Sequence, residues 1–305
     1  MDVLSEVLAT ARTGSPASGM FVRHAPWGRA YPRIESAGFH VVLQGSCWLT
    51  RPEADPIALG IGDVVFMARG VAHELVDALG SPITETAGPA DVRFVDGPGP
   101  VATLLCGSYQ LAGDRTHPLL AELPEVVHIP SRLGSHASLR AAVDLLADEL
   151  DDSRPGGDAA IPPLLDLLLL YILRAWFADA ASSEFSGWAA AFADPGISAA
   201  LRGMHENPAH GWTVESLGER AGLSRAAFAK RFTALVGEPP LAYLTRWRMI
   251  TAARLLRDSD APLASVARRT GYGSEYAFGK AFKREYGTAP GQYRKSADDL
   301  LLVGV

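Results

Sequence analysis

Between residues 20 and 130 the apolar positions come in short runs broken by Pro and Gly, the pattern of many brief strands joined by tight turns. An antiparallel barrel is the expected outcome. The longest runs are His40-Val41-Val42-Leu43-Gln44-Gly45-Ser46-Cys47-Trp48-Leu49 and Leu59 to His73. The period then changes. Leu139, Val143, Leu146 and Leu150 recur at helical spacing in an otherwise polar segment, and Pro163 to Phe177 reads as a second, leucine-rich helix. An apolar helix pair outside a barrel suits a contact between subunits, so a homodimer is expected; a cap over its own barrel is the other reading. Residues 181–196, rich in Ala and Ser with Gly187 and Asp194-Pro195, read as a linker.

From residue 197 the pattern is helical, and it repeats. An offset of 50 places Ser224 on Ser274, Phe228 on Phe278, Lys230 on Lys280 and Phe232 on Phe282, then Gly237 on Gly287, Pro240 on Pro290 and Tyr243 on Tyr293. Two copies are too few for a solenoid, so one supersecondary unit is used twice. Each copy has the grammar of helix, tight turn and second helix. In the first, Thr213 is placed to cap a helix with Val214, Leu217 and Ala221 on one face, Gly222 ends it, and Ser224 caps the next. That next helix turns Phe228, Phe232 and Leu235 inward. The second copy runs from Pro262 through Val266 and Ala267 to Gly271-Tyr272-Gly273-Ser274, followed by a helix around Phe278 and Phe282. Between them, Leu241 to Arg257 reads as one long helix holding the copies at a fixed separation.

Charge sharpens this picture. The formal net charge of −6 conceals a division: residues 1–196 carry 12 Arg, no Lys and 24 Asp+Glu, whereas residues 197–295 carry 16 Lys+Arg against 8 Asp+Glu. A basic third attached to an acidic remainder concentrates polyanions at one end only. Helices with short side chains near the N-terminus and cations around them have the shape that enters a DNA major groove, and two linked units would address faces about 34 Å apart. A helical bundle without a ligand is the rival reading. Elsewhere composition mainly excludes: 48% apolar and 20% charged residues rule out wholesale disorder. Acids at the N-terminus do not suit a signal peptide, and Leu167–Leu173 lies between Asp166 and Arg174, too short to span a bilayer. A cytoplasmic protein without a membrane partner is expected, and its two cysteines are expected as thiols.

The stretch from Trp212 to Arg257, with Ala264-Ser265-Val266-Ala267, Gly271 to Arg284, Gly287-Thr288-Ala289-Pro290 and Tyr293-Arg294, resembles the DNA-binding domain of AraC/XylS-type transcription regulators. By position, the resemblance implies base contacts from Arg225, Ala226, Ala229 and Lys230 in the first reading helix. In the second it implies Glu275, Tyr276, Ala277 and Lys280. Ser224, Ser274, Lys283 and Arg284 are placed at DNA as well, the last three on phosphates, which set register but not sequence. Ala226 and Ala229 stand where many members carry larger polar groups, so readout there reduces to thymine methyls, with Lys230 on guanine or phosphate.

The runs His40–Leu49 and Leu59–His73 resemble the small-barrel sensor fold called cupin, closest to a subgroup with Gly45-Ser46-Cys47-Trp48-Leu49 and Leu104-Leu105-Cys106-Gly107. Cupin enzymes bind a metal through two His and a Glu of the first motif and a His of the second. Only His73 matches cleanly; no His-x-His pair occurs, and Ala68 replaces the usual Pro. His24, His40 and His73 are candidates for an imidazole metal site, with core or rim histidines as the alternative; otherwise no cofactor is expected. Regulators resembling this subgroup include sensors of oxidants, which need a reactive thiol. In a regular strand Cys47 shares its face with Val41, Leu43 and Leu49, the apolar side, with His40 on the other face, unless Gly45 forms a bulge.

The expected fold class is α+β: a cupin-like sensor domain (1–135), a helical dimerisation segment (136–180), the linker, an all-α DNA-binding domain with two helix-turn-helix units (197–296) and a tail (297–305). The expected function is sequence-specific transcription regulation, as an activator acting with RNA polymerase on promoter DNA and responding to a small molecule or redox signal. It is not expected to be an enzyme. The alternatives are a cupin-type metalloenzyme with an appended helical domain, and a regulator sensing oxidants through Cys47 and Cys106.

Overall fold

The computed structural model describes residues 2–88, 92–111, 117–151, 155–182 and 187–303, with side chains for all of these but 151, 181, 182 and 297–303. Helix α1 (Val3–Ala11) comes first. Then follow β1 (Ala17–His24), β2 (Gly28–Tyr31), β3 (Ala37–Gln44), β4 (Cys47–Arg51), β5 (Ala54–Leu59), β6 (Val64–Met67), β7 (His73–Val76), β8 (Glu85–Thr86), β9 (Phe94–Val95) and β10 (Val101–Tyr109). The short α2 (Pro118–Ala121) and β11 (Val127–Ile129) lead to helices α3 (Ala137–Asp151) and α4 (Gly157–Ser182). The rest is helical: α5 (Gly187–Ala193), α6 (Pro195–Glu206), α7 (Val214–Arg220), α8 (Arg225–Val236), α9 (Pro240–Asp258), α10 (Leu263–Arg269), α11 (Glu275–Tyr286) and α12 (Pro290–Val303).

The chain forms two compact units. The first draws on residues 12–116 and 120–180. Its strands make a six-stranded sheet in the order β11-β6-β3-β10-β1-β9 and a five-stranded sheet in the order β5-β4-β7-β2-β8. All pairs are antiparallel except the short β1–β9 and β2–β8 contacts. Phe21, Trp27, Val42, Leu49, Met67 and Leu104 belong to one buried core to which both sheets contribute. Gly45 decides how the first motif is divided. Its φ of +74° is a left-handed turn, and a Cβ there would collide with the Val101 carbonyl oxygen. The run read as one strand is therefore two, β3 in one sheet and β4 in the other. The facing argument for Cys47 fails with it, because His40 and Val42 are buried and Val42 shares the core with Cys47 and Leu49. Cys47 is buried all the same.

Helix α4 is longer than its apolar run suggested and starts before Pro162 and Pro163, which both lie inside it. Leu165, Leu168, Leu169, Ile172 and Leu173 are buried along it, and the Tyr109 hydroxyl donates to the Leu165 carbonyl at 2.9 Å. By length and composition alone it is apolar enough to cross a membrane; its buried leucines mark it as a core helix of this unit.

The second unit holds residues 181–305 together with residues 1–11 and 117–119. This corrects the expected division in two places. Val3, Leu4, Val7, Leu8 and Ala11 form a stripe down α1 that is buried, and α1 packs on α6 and α9, so the first helix belongs with the C-terminal helices. Nine residues do not hold a helix alone, and tertiary packing decides where it folds. The expected linker likewise contains α5, with Trp188 buried, and the Asp194 cap of α6; its residues 183–186 lie outside the described residues. The expected tail continues α12 as helix to Val303, with residues 304 and 305 outside the described residues.

Inside this unit His117 and His205 meet on α9. Their Nε2 atoms lie 3.0 and 2.5 Å from the Tyr243 hydroxyl, and the His205 ring stacks on Trp247 at 3.8 Å. Burial pushes the His205 imidazole down to about 3, and burial, then His205 and Arg246, holds His117 well below its ordinary value.

Candidate nucleic-acid interface and sensor cavity

Both helix-turn-helix copies are built as the spacing predicts. The Thr213 hydroxyl oxygen accepts the Ser216 N–H at 3.1 Å in a reciprocal capping box at the start of α7. Ser224 and Ser274 cap the two reading helices, accepting the Ala227 and Ala277 N–H groups at 3.3 and 3.1 Å. Each serine keeps its own hydroxyl proton to donate elsewhere. Gly237 and Gly287 close α8 and α11 in the left-handed conformation, at φ +87° and +74°. The turns differ. Gly222 takes positive φ two residues before Ser224, whereas Gly271 does so three residues before Ser274, so the second turn is one residue longer.

Phe228 and Phe232 face inward on α8, as do Phe278 and Phe282 on α11. The inward stripe of α8 ends on Val236; Leu235, expected there, is only half-buried. The opposite face carries the residues picked from sequence. Ser224, Arg225, Ala226 and Lys230 are exposed and Ala229 is half-buried; Ser274, Glu275, Tyr276, Ala277, Lys280, Lys283 and Arg284 are all exposed. Tyr276 stands out at 82% exposure, an aromatic ring at the first turn of α11.

The structure also sorts the cations of the basic third. Arg231 pairs with Asp194 and Arg246 with Glu238; Arg220, Arg248 and Arg294 donate to backbone carbonyls of Ala199, of Pro208 and His210, and of Ala261. These hold the fold. Arg225, Lys230, Lys280, Lys283 and Arg284 make no hydrogen bond or ion pair among the described residues, and neither do Arg268 and Arg269, exposed at the end of α10. Those two were not singled out from sequence, although basic residues in the last turn of the helix before the turn were the available signal.

The other candidate site is a cavity of about 540 Å³ in the barrel unit. Phe21, Tyr31, Ile34, Met67, His40 and His73 contribute to its wall, with Cys106 beside them. His40 and His73, 33 positions apart, meet there with Nε2 atoms 2.7 Å apart. Tyr31 stacks on His73 at 4.7 Å, and its hydroxyl lies 3.7 Å from the Cys106 sulfur. The His73 Nδ1 lies 2.7 Å from the Val71 carbonyl, which can only accept, so that nitrogen carries the proton. Burial lowers both imidazoles, that of His40 well below its ordinary value with His73 and Arg29 adding to the effect, so the pair is neutral.

His24 does not join them. It sits five residues along β1 from Gly19, which pairs with Cys106 next to His40, a separation of about 16 Å at strand rise. Its ring meets Phe94, and its Nδ1 lies 3.5 Å from Asp96. Among the described residues no three His, Cys, Asp or Glu side chains gather as metal ligands. His40 and His73 point at each other at hydrogen-bond distance rather than at a shared ion. The donor set does not fit the cupin metal.

Cys47 and Cys106 are both buried and unbridged. Burial above all, then Cys106 and Asp63, pushes the Cys47 thiol up to about 12, so it is not a ready thiolate.

Comparison with known proteins agrees with both halves of this geometry. The family described as Cupin matches residues 2–178, and the family described as Helix-turn-helix domain matches residues 217–296. A Streptomyces antibioticus protein named as an AraC-like transcription regulator is 35% identical over 97% of this chain and 99% of its own. The RCS-specific HTH-type transcriptional activator RclR of Escherichia coli is 30% identical over 86% of this chain and 85% of its own. Among solved structures, the DNA-binding domain of AdpA in complex with a target DNA is 35% identical, covering 34% of this chain and 92% of that one with a TM-score of 0.32. With duplicated helix-turn-helix units behind a cupin barrel, and with relatives aligned from end to end, the chain belongs to the AraC-type transcription regulators, DNA-binding proteins with a cupin-type sensor domain.

Proposed function

We propose that this regulator reads promoter DNA with the exposed faces of α8 and α11 and senses a small molecule in the barrel cavity. The observation that carries the reading is the sorting of cations: Arg225, Lys230, Lys280, Lys283 and Arg284 on the exposed faces of the two reading helices make no hydrogen bond or ion pair among the described residues, while Arg220, Arg231, Arg246 and Arg248 stabilise the fold. Arg225, Lys230, Glu275, Tyr276 and Lys280 reach base edges, Ala226, Ala229 and Ala277 meet methyl groups, and Ser224, Ser274, Lys283 and Arg284 hold phosphates. RNA polymerase is the second macromolecular partner, the compartment is the cytoplasm, and the barrel binds its effector without chemical turnover. Oxidant sensing through Cys47 and Cys106 has weaker support, since both thiols are buried. The effector shifts operator affinity by favouring one of two arrangements of the protein, as any ligand with unequal affinity for two states does.

Dimerisation falls to α3 and α4. Leu145 on α3 and Leu167 on α4 are exposed apolar side chains on helices whose other faces are buried, a surface suited to a second copy of the chain. The test of the DNA reading is direct. Lys230→Ala and Lys280→Ala are each expected to weaken specific binding in an electrophoretic mobility assay by about 1–3 kcal/mol, and unchanged affinity in both variants overturns the groove placement.

A further inference from the structure

We propose that the two reading helices select opposite bases at matching positions: Arg225 at the start of α8 takes a guanine, and Glu275 at the start of α11 takes a cytosine. The inference rests on the DNA reading above and deepens it by naming the base that each position accepts. It starts from the internal repeat. From Ser224 to Lys230 and from Ser274 to Lys280 the two copies run through the same order of burial: four exposed residues, one buried, one half-buried and one exposed. Each serine hydroxyl oxygen accepts the N–H three residues on, at Ala227 and Ala277, and the buried residues are Phe228 and Phe278. Arg225 and Glu275 therefore leave equivalent points of equivalent helices, each directly after the cap and three residues before the inward ring. At this position the charge is reversed.

Helix stability does not account for the reversal. The positive end of the helix dipole favours an acid in the first turn and disfavours a cation, so a structural role would place an acid in both copies. Helix α11 has its acid there; α8 has none and begins with Arg225 instead. Both side chains are exposed, and neither makes a hydrogen bond or ion pair among the described residues, so each is available to a partner outside the chain. Duplex chemistry then assigns the bases. The fork of a guanidinium matches the paired acceptors O6 and N7 of guanine. A carboxylate only accepts, and among phosphates it is repelled unless a base supplies a donor. In the major groove guanine and thymine present acceptors alone, so both are refused. Adenine offers its N6–H but sets the N7 acceptor beside it, against the second carboxylate oxygen; cytosine offers N4–H with no acceptor next to it in the groove. Cytosine is the base left. Each reader thus asks for a G·C pair at this position, turned one way round for α8 and the other way round for α11.

The experiment is selection by the full-length protein from a library of random duplexes about three helical turns long, followed by sequencing. Fluorescence anisotropy on the enriched duplex, with single base pairs replaced, then measures the preference at each position. The unchanged protein is expected to enrich a site with one fixed cytosine and, about one helical turn away, one fixed guanine. Glu275→Gln keeps the shape of the side chain and adds the amide donor that pairs with adenine N6 and N7. It is expected to move the cytosine position to adenine, turning a preference of about tenfold for cytosine into one for adenine while the rest of the site stays as it was. Arg225→Gln is expected to move the guanine position to adenine in the same way, and it carries the test should Glu275→Gln show no cooperative melt. Arg225→Glu combined with Glu275→Arg is expected to turn both pairs round. Identical enriched bases in every variant, an affinity loss equal for all bases, or an enriched site in which no cytosine answers to residue 275 overturns the proposal and leaves the DNA reading in place. Failure of the unchanged protein to enrich any sequence sinks the DNA reading, and this inference with it.

Discussion

Lys283→Ala combined with Arg284→Ala tests whether the unpartnered cations meet DNA phosphates. Lys283 and Arg284 are exposed without internal hydrogen-bond or ion-pair partners, so neutralising phosphates costs them no contact within the protein. If each displaces one counterion's worth of charge from the duplex, the two steepen the fall of log affinity against log salt by about 1.8 per protomer. Removing the pair lowers the slope by that amount and cuts the loss on going from about 50 to about 200 mM salt by roughly 12-fold. Fluorescence anisotropy of a labelled operator duplex across a salt series measures both. Because phosphate contacts carry no sequence information, the ratio of operator to scrambled-duplex affinity is expected to survive in the double variant. An unaltered slope refutes the phosphate assignment. A collapse of discrimination with the slope intact places these two residues on bases instead.

Phe278→Ala removes a fully buried ring from the second reading unit and is expected to cost about 3–5 kcal/mol in urea unfolding; a loss under about 1 kcal/mol contradicts the packing described for α11. His205 binds protons more weakly folded than unfolded, with about 3 against the ordinary 6.5, so its share of stability is whole above pH 6.5 and drains as pH falls toward 3. His205→Phe is expected to flatten that fall in urea melts at pH 7.5, 6 and 5, and an unchanged pH dependence rejects the burial argument. Leu145→Glu with Leu167→Glu is expected to yield a monomer in analytical ultracentrifugation; persistence of a dimer moves the subunit contact elsewhere.

The reading half was legible because its information is local. A cap, the residue three places on, a stripe returning every third or fourth position and a glycine at the end all lie within one turn of what they act on, and the repeat states the design twice. The burial of Phe228, Phe232, Phe278 and Phe282 therefore follows from spacing alone. The barrel is the opposite case. His40 and His73 meet only because β3 and β7 are placed facing each other from different sheets, and no run of adjacent residues encodes that order. One glycine, Gly45, moves the chain from one sheet to the other and reverses every facing inferred across it, so the burial of Cys47 was inferred for a reason the structure does not share.

Helix α1 falls between these cases. Its stripe at Val3, Val7 and Ala11 was readable, but not the core it joins more than a hundred residues away. The chain leaves this unit after Ala11, comes back to it for residues 117–119, where the His117 ring meets Tyr243 of α9, and returns for good at residue 181, so packing and not order along the chain decides which unit a segment joins.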